Sequence, residues 1–250
     1  MAPPSPIDRE TPTRRPDRRA VMRQDWHRLL FLHWEVPDDS LRALLPPGLE
    51  LDLFEGRAFV GLVPFSMTGV RPVGLPAFPP LSNFHETNVR TYVHVAGRDP
   101  GVWFFSLDAA NRIAVWLART WFHLPYYHAR MSLTEREGAR PILTYTSCRA
   151  EGPGSARTAI QATPTGPARA ATLGTLDHFL AERYLLYAEH QGRIYRGQVH
   201  HSPYPLQPAE ALAIDETLLA ANGIARPEAT PLAHFASGVR VEVFPLERVR

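Results

Sequence analysis

The chain has 250 residues, of which 44% are hydrophobic and 21% charged, and its formal net charge is +2. This composition is typical of a globular protein with a sizeable core. Outside the arginine-rich N-terminal segment the chain is close to neutral, which argues against a nucleic-acid partner. It also lacks an apolar stretch of ~20 residues, which argues against a membrane helix. All 27 Lys+Arg residues are arginine, so no side chain can form a Schiff base, because a guanidinium does not supply the deprotonated amine that this chemistry needs.

The first 22 residues are rich in proline and arginine and hold almost no large apolar side chains. Such a segment cannot bury enough surface to order itself, so residues 1–22 are predicted to be a disordered tail, with contact to an anionic surface as the alternative. The tail lacks the apolar core of a secretory signal, and the single cysteine, Cys148, excludes an intramolecular disulfide. These features indicate a cytoplasmic protein in which residues 23–250 form one domain.

Strand patterns dominate the first part of this domain. The apolar run 27–36 suits a strand with both faces covered, and 37–45 is typical of a short capped helix. Residues 49–67 are predicted to form a hairpin around the turn Glu55-Gly56. The proline-rich segment 68–82 is predicted to be a long loop, and loops of this length often carry function.

The remainder of the chain continues as short strands with few helices. The five tryptophans are assigned to the core, because aromatic side chains bury large areas. The fold class is predicted to be α+β, predominantly antiparallel β, with a large curved or barrel-like sheet and three or four short helices. A boundary at 150–171 is the alternative if the chain holds two domains. Strands are predicted at 85–95, 102–107, 127–135, 141–148, 158–163, 184–189, 194–200 and 237–249, and helices at 111–122, 175–183 and 215–223.

The strand 85–95 carries the residues best suited to chemistry. Glu86, Asn88, Arg90 and Tyr92 alternate with threonine and valine and therefore share one face. Such a face lies either in water or in a polar cavity, and we favour the cavity because the strand follows the proline-rich loop and mixes four kinds of polar group. Arg90 would bind a carboxylate in bidentate fashion, with Asn88 as a second substrate contact. Glu86 would act as an acid or base if burial raised its pKa, assisted by Tyr92.

Three further residues are weaker candidates. Ser106 and Asp108 end a buried aromatic strand and are assigned to substrate binding, although capping of the following helix is the preferred role of Asp108. His201 is assigned to the catalytic set, and a hydrogen-bonded structural histidine is the alternative. No histidine spacing matches a metalloprotease helix, so no metal site is predicted. The sequence has neither a glycine-rich phosphate loop nor a dinucleotide fingerprint, and no cofactor is expected.

Six short motifs stand out along the chain: Trp34 with Val36-Pro37, and the segments 44–49, 59–65, 88–93, 101–108 and 201–206. Together they resemble the YqjF-like family of uncharacterised bacterial proteins, from residue 24 to the end of the chain. That family is grouped with the acetoacetate decarboxylase-like superfamily, which implies a curved, barrel-like sheet around a mostly apolar pocket.

The same resemblance bears on the mechanism. Glu86 is similar to a pocket glutamate of the superfamily. Where the decarboxylase has a lysine pair, the matching stretch here has Leu107, or Asp108 if the alignment shifts by one residue. The resemblance therefore implies the pocket but not the Schiff-base mechanism, and a shared fold does not by itself name a reaction.

Three hypotheses for the function follow. The first is a lysine-independent enzyme that performs enolisation, hydration or lyase chemistry on a small oxo- or hydroxy-carboxylate. The second is a non-catalytic protein that binds a small molecule in the same pocket, and the third is a scaffold whose arginine-rich tail recruits an anionic partner. A small-molecule ligand is expected, with no nucleic-acid or membrane partner, and a homo-oligomer stays open.

Overall fold

The computed structural model describes residues 7–138, 140–150 and 156–249. These residues form one 13-stranded sheet and five short α-helices. None of the described helices has the length and apolar character needed to cross a membrane. The strands are β1 Met22–Val36, β2 Glu50–Leu51, β3 Ala58–Pro72, β4 Phe84–Val95, β5 Arg98–Ala109, β6 Tyr126–Arg136, β7 Ile142–Arg149, β8 Arg157–Pro164, β9 Leu185–His190, β10 Arg193–His200, β11 Leu206–Glu216, β12 Leu232–Val243 and β13 Glu247–Arg248; the helices are α1 Asp38–Arg42, α2 Pro79–Ser82, α3 Arg112–Trp121, α4 Leu176–Ala181 and α5 Leu218–Ala221.

Most neighbouring strands are antiparallel, and the parallel pairings in the described residues are those of β5 with β6 and β9. The strand order is β13-β10-β9-β5-β6-β7-β8-β11-β12-β1-β3-β4-β2. Two further pairings, β4 with β5 and β10 with β12, join strands that are distant in this order. They close a circuit through β1, β3, β4, β5, β9, β10 and β12, and a second circuit through β5 to β8, β11, β12, β1, β3 and β4. The predicted α+β fold with a large, mostly antiparallel sheet is confirmed, but the described residues contain five short α-helices and not the predicted three or four.

Strand β1 is shared by both circuits, and its residues 29–34 are buried on both faces. Leu30 and Leu32 pack into one hydrophobic cluster, while Leu29 and Phe31 pack into another on the opposite face. A strand whose two faces are both covered has no polar alternation, so it appears in the sequence as a continuous apolar run. The prediction for residues 27–36 is therefore confirmed.

Two predicted local structures take a different form in the fold. The turn Glu55-Gly56 is present, with φ angles of 50° and 78°, but β2 pairs with β4 instead of continuing the hairpin with β3. The helix predicted from residue 215 begins only at Leu218, because residues up to Glu216 belong to β11 and pair with β8. Strand β11 has few β-branched residues, so its pairing depends on the neighbouring strand and not on local propensity. Strand β8 lies inside the suggested boundary 150–171 and joins the sheet through β7 and β11.

Helix α3 corrects the assignment of every tryptophan to the core. Trp34 is buried, but Trp116 and Trp121 on α3 are 61% and 59% exposed. The helix lies at one end of the sheet and buries only Val115 among its residues. Its outward-facing side chains therefore meet solvent although they are aromatic.

Residues 7–21 lie against the domain, which differs from the predicted disorder; residues 1–6 lie outside the described residues. The Arg9 guanidinium donates two hydrogen bonds to the buried Asp52 carboxylate, at 2.5 and 2.6 Å. Arg15 pairs with Glu242 at 2.6 Å, and Gln198 donates to the carbonyl of Pro12. Composition favours disorder because this segment has few large apolar side chains, but its arginines form ion pairs with carboxylates that are distant in the sequence.

The Arg9 pair predicts a specific loss of stability. Arg9→Gln removes charge-assisted hydrogen bonds to a buried carboxylate, and we expect the free energy of unfolding to fall by about 1–3 kcal/mol in urea denaturation. Arg14→Gln is the matched control, because Arg14 pairs with Glu10 at an exposed site and should change stability by less than about 0.5 kcal/mol. Equal stability of both variants would contradict the anchoring of this segment.

Candidate active site

A cavity of about 330 Å³ lies inside the seven-strand circuit, and every strand of that circuit contributes residues to its wall. This volume is at the lower end of the range of about 300–1,000 Å³ that ligand pockets occupy. The mouth lies between residues 73–82 and α3. Five large apolar side chains line the cavity there and are also exposed to solvent: Leu75, Phe78, Leu81, Ile113 and Trp121.

Strand β4 runs from this mouth to the floor of the cavity. It begins directly after α2 and places Phe84, Glu86, Asn88 and Arg90 on the cavity wall. With a rise of about 3.3 Å per residue, the Cα atom of Arg90 is about 20 Å from that of Phe84 and about 13 Å from that of Glu86. The predicted shared face of Glu86, Asn88 and Arg90 therefore turns into the cavity and not into water.

Glu86 is a buried carboxyl group between the mouth and the floor of the cavity. It is 3% exposed, and the Tyr126 hydroxyl donates a hydrogen bond to its Oε2 atom at 2.7 Å. Burial raises the pKa of Glu86 to about 7, and the negative charge of Asp108 raises it further. The hydrogen bonds with Tyr126 and Asn88 act in the opposite direction and lower this pKa. A carboxyl group with a pKa near 7 can both accept and donate a proton at neutral pH.

Arg90 is a buried guanidinium on the cavity floor. Its Nη2 atom donates to the carbonyl of Leu180 at 3.0 Å, whereas its Nε atom has no hydrogen-bond partner. No carboxylate in the described part of the chain forms an ion pair with it. The stem of Arg90 lies beside Gly61, where a Cβ atom would stand 3.4 Å from the Arg90 Cγ atom and 3.0 Å from the His33 ring. A buried charge without a counter-ion is unfavourable, so this position suits an anionic ligand.

A second guanidinium, that of Arg183, lines the same cavity. Its Nη1 atom donates to Asp52 at 2.7 Å, while its buried Nη2 atom has no partner. Asp52 is shared with Arg9, so a single carboxylate faces these two arginines, and Arg90 adds a third positive charge nearby. The floor of the cavity therefore has an excess of positive charge.

Tyr92, which the sequence assigns to catalysis, lies behind Arg90 and outside the cavity wall. Tyr92 is fully buried, and its hydroxyl group donates a hydrogen bond to the Leu180 carbonyl at 2.6 Å. The same hydroxyl oxygen lies 2.7 Å from the Nε2 atom of His33. Because the single hydroxyl proton goes to a carbonyl, which can only accept, His33 must donate through Nε2. Burial and the charge of Arg90 hold the pKa of His33 well below its usual range, so this histidine is neutral. Tyr92 therefore supports Arg90 and does not reach a ligand.

Ser106 and Asp108, assigned to substrate binding, also face away from the cavity. Strand β5 has a bulge at Phe105, since Ser106 pairs with Val89 but Phe104 already pairs with Arg90. One extra residue reverses the alternation, so Val102, Phe104 and Leu107 line the cavity instead. Ser106 accepts a hydrogen bond from Asn222, and Asp108 accepts two from the buried Arg149 at 2.7 and 3.0 Å. The helix cap expected from Asp108 is supplied by Asn111, whose side chain accepts from two backbone N–H groups of α3.

His201 is separated from the cavity by Trp26 and Tyr204. Its ring stacks on Tyr184 with centroids 4.4 Å apart, and its Nδ1 atom donates to the carbonyl of Ser202. Burial lowers the pKa of His201 to about 4, so the ring is neutral. This geometry matches the structural alternative and not the catalytic assignment. No group of three or more metal-binding side chains is clustered in the described part of the chain.

Tyr126, Arg149 and Arg183 have no local pattern that marks them in the sequence. Tyr126 reaches Glu86 through the parallel pairing of β6 with β5, and Arg149 reaches Asp108 from the end of β7. Arg183 follows α4 and meets Asp52, which is 131 positions earlier in the chain. Each of these contacts is created by strand order, which the residue pattern alone does not encode.

The raised pKa of Glu86 predicts a pH-dependent stability. The folded state binds this proton more tightly than the unfolded state, so the stabilisation is complete below about pH 4.5 and is lost as the pH rises through 7. Glu86→Gln does not titrate, and the stability of the wild type relative to this variant should fall by up to about 3 kcal/mol between pH 4.5 and 8. Urea denaturation across this range measures the difference. Glu228→Gln, at an exposed position, should show no such trend, and a flat difference for Glu86→Gln would contradict the raised pKa.

Comparison with known proteins identifies relatives and structures of the same fold. Residues 23–240 match the family DUF2071, described as an uncharacterized conserved protein. The uncharacterized protein YqjF of Bacillus subtilis is 42% identical over 233 residues, which are 93% of this chain and 94% of YqjF. An acetoacetate decarboxylase-like enzyme from Sphingomonas wittichii RW1 superposes with a TM-score of 0.63 at 15% identity, over 93% of this chain and 94% of that protein. The enduracididine biosynthesis enzyme MppR complexed with pyruvate has a TM-score of 0.60 at 13% identity, over 93% of this chain and 91% of MppR.

The sequence matches and the structural matches support different conclusions. The identities to the two solved structures are low, so those structures show a common fold and not a common activity. The match to the family and to YqjF covers almost the whole chain and confirms the resemblance expected from the motifs. The chain therefore belongs to the DUF2071 family of uncharacterized conserved proteins and has an acetoacetate decarboxylase-like fold.

Proposed function

We propose that this protein is a lysine-independent enzyme that binds the carboxylate of an oxo- or hydroxy-acid at Arg90 and transfers a proton through Glu86. One observation carries the proposal: the buried Arg90, whose Nε atom has no hydrogen-bond partner, lines the same cavity as the buried Glu86. A fold-level precedent supports the ligand class, since MppR has been solved in complex with pyruvate, an oxo-carboxylate.

The proposed chemistry follows from the groups on the wall. A carboxylate held by Arg90 would fix the ligand in the cavity, and the Glu86 carboxylate would accept a proton from a carbon next to a carbonyl group. The electron pair of that C–H bond would move to the carbonyl oxygen and form an enolate. The Asn88 amide, which lies between Glu86 and Arg90 on β4, would donate to this oxygen, and Tyr126 would orient the Glu86 carboxylate. Return of the proton to another carbon, or loss of a leaving group, would complete an isomerisation or a lyase reaction.

Binding is tested first, with a thermal-shift screen of oxo-, hydroxy- and unsaturated carboxylates. A ligand that binds only the folded state raises the melting temperature of the wild type, and Arg90→Gln should lose this shift. Arg90→Lys keeps a positive charge but lacks the planar fork, so it should retain only part of the shift. A shift that is unchanged in both variants would exclude Arg90 as the carboxylate anchor.

Proton transfer is tested with the carboxylates that bind. In D₂O, the wild type should exchange a carbon-bound hydrogen of the ligand for deuterium, which ¹H NMR follows as the loss of a signal. Glu86→Gln should bind the same ligand and reduce the exchange rate by at least about 100-fold, since acid–base catalysis contributes about 10²–10⁴-fold. Equal exchange in the variant would overturn the role of Glu86. Tight binding without any turnover by the wild type would favour the alternative, a non-catalytic binding protein that uses the same cavity.

A further inference from the structure

Two of the three arginines on the described cavity wall lie at one end of the cavity, whereas the third, Arg71, lies near the mouth at the end of β3 and donates a hydrogen bond to the Gly69 carbonyl at 2.6 Å. Arg90 and Arg183 lie at the floor, and the wall above them is formed largely by aromatic and aliphatic side chains such as Phe31, Phe65 and Phe104. Glu86 is the one acidic group on the described wall, and it lies between the floor and the mouth. A ligand that fits this distribution has an anionic head at the floor and an apolar body above it.

The apolar wall continues out of the cavity to the protein surface. Leu75, Phe78 and Trp121 line the mouth, and each of them is about 60% exposed. Large apolar side chains grouped on a surface are typical of binding sites, because their contact with water is unfavourable until a ligand covers them. The same side chains therefore offer a continuous apolar path between solvent and the arginine floor.

The length of this path sets the size of the ligand. The Cα atoms of Arg90 and Phe84 are separated by about 20 Å along β4, and Glu86 lies about 13 Å from Arg90 on this scale. A ligand of two or three carbon atoms held by Arg90 would leave the upper cavity and the mouth unoccupied. Each additional buried methylene group increases affinity about fourfold, so a long apolar chain would gain strongly from this wall.

We infer that the ligand is a carboxylic acid with an extended apolar chain, whose carboxylate binds at Arg90 and Arg183 and whose chain passes Glu86 to the mouth. The inference rests on the proposed function because it keeps Arg90 as the carboxylate anchor. It changes the expected ligand class from small, polar oxo- and hydroxy-acids to amphipathic acids of the fatty-acid type. The group that reacts at Glu86 would then lie several bonds away from the carboxylate.

Isothermal titration calorimetry with butanoate, octanoate and dodecanoate tests the chain-length dependence. The Kd of the wild type should fall by on the order of 100-fold from butanoate to octanoate, as four methylene groups at about fourfold each imply. Arg90→Gln should lose binding of all three acids, and 1-octanol should bind the wild type much more weakly than octanoate. Melting curves of each variant confirm that it is folded.

The mouth is tested with two tryptophans on the same helix. Trp121→Ser removes a side chain that lines the cavity, and it should raise the Kd of dodecanoate about 5- to 10-fold. Trp116→Ser is the matched control, because Trp116 is equally exposed on α3 but is not part of the cavity wall; its effect should stay within twofold. An equal loss in both variants would overturn the proposed path of the chain.

The outcomes separate the two proposals. Binding that depends on Arg90 but has the same Kd for butanoate and dodecanoate would overturn the apolar-chain inference and leave the carboxylate anchor intact. Binding that increases with chain length, persists in Arg90→Gln and is matched by 1-octanol would instead overturn the anchor and, with it, the proposed function. No binding of any of the three acids would overturn the inference.

Discussion

The whole structure depends on strands β1, β3 and β4 being shared by two closed circuits of the sheet. Over most of their shared length, the side chains of these strands point either into the packed core or into the cavity, although Arg28 and Glu35 of β1 are exposed. On β4, this places Val89 in the core and Glu86 and Arg90 on the cavity wall. Period-two alternation, which in an ordinary sheet separates core from solvent, here separates core from ligand site. The polar residues Glu86, Asn88 and Arg90 at alternate positions of this buried strand therefore line the cavity.

The electrostatics of the cavity follow from this burial. Glu86 is removed from water with only neutral groups as direct hydrogen-bond partners, which raises its pKa to about 7. Arg90 and Arg183 are also buried, but a guanidinium keeps its charge where an ammonium group would readily lose its proton. The absence of lysine is thus consistent with a site built for a permanent positive charge at the floor and a titrating carboxyl group above it. The backbone carbonyl of Leu180 accepts hydrogen bonds from both Arg90 and Tyr92 and so fixes the position of Arg90 at the cavity floor.

The shared fold does not by itself determine the chemistry of the site. The chain has an acetoacetate decarboxylase-like fold and contains no lysine. The resemblance matches the lysine position to Leu107, which lines the cavity, or to Asp108 if the alignment shifts by one residue. The cavity lies within this sheet, whereas the reactive groups depend on which side chains the strands present.

The sequence by itself determined the family, the mostly antiparallel sheet and the common face of Glu86, Asn88 and Arg90, because motifs and alternation are local properties of the chain. Tertiary structure decided the rest of the site. The bulge at Phe105 turned Ser106 and Asp108 out of the cavity and Leu107 into it, since one extra residue reverses every face that follows. Strand order brought Tyr126 to Glu86 and placed Arg183 and Asp52 together, and carboxylates of the domain ordered an arginine-rich segment that composition predicts to be disordered. These contacts join residues far apart in the chain, so only the folded arrangement of strands could create them.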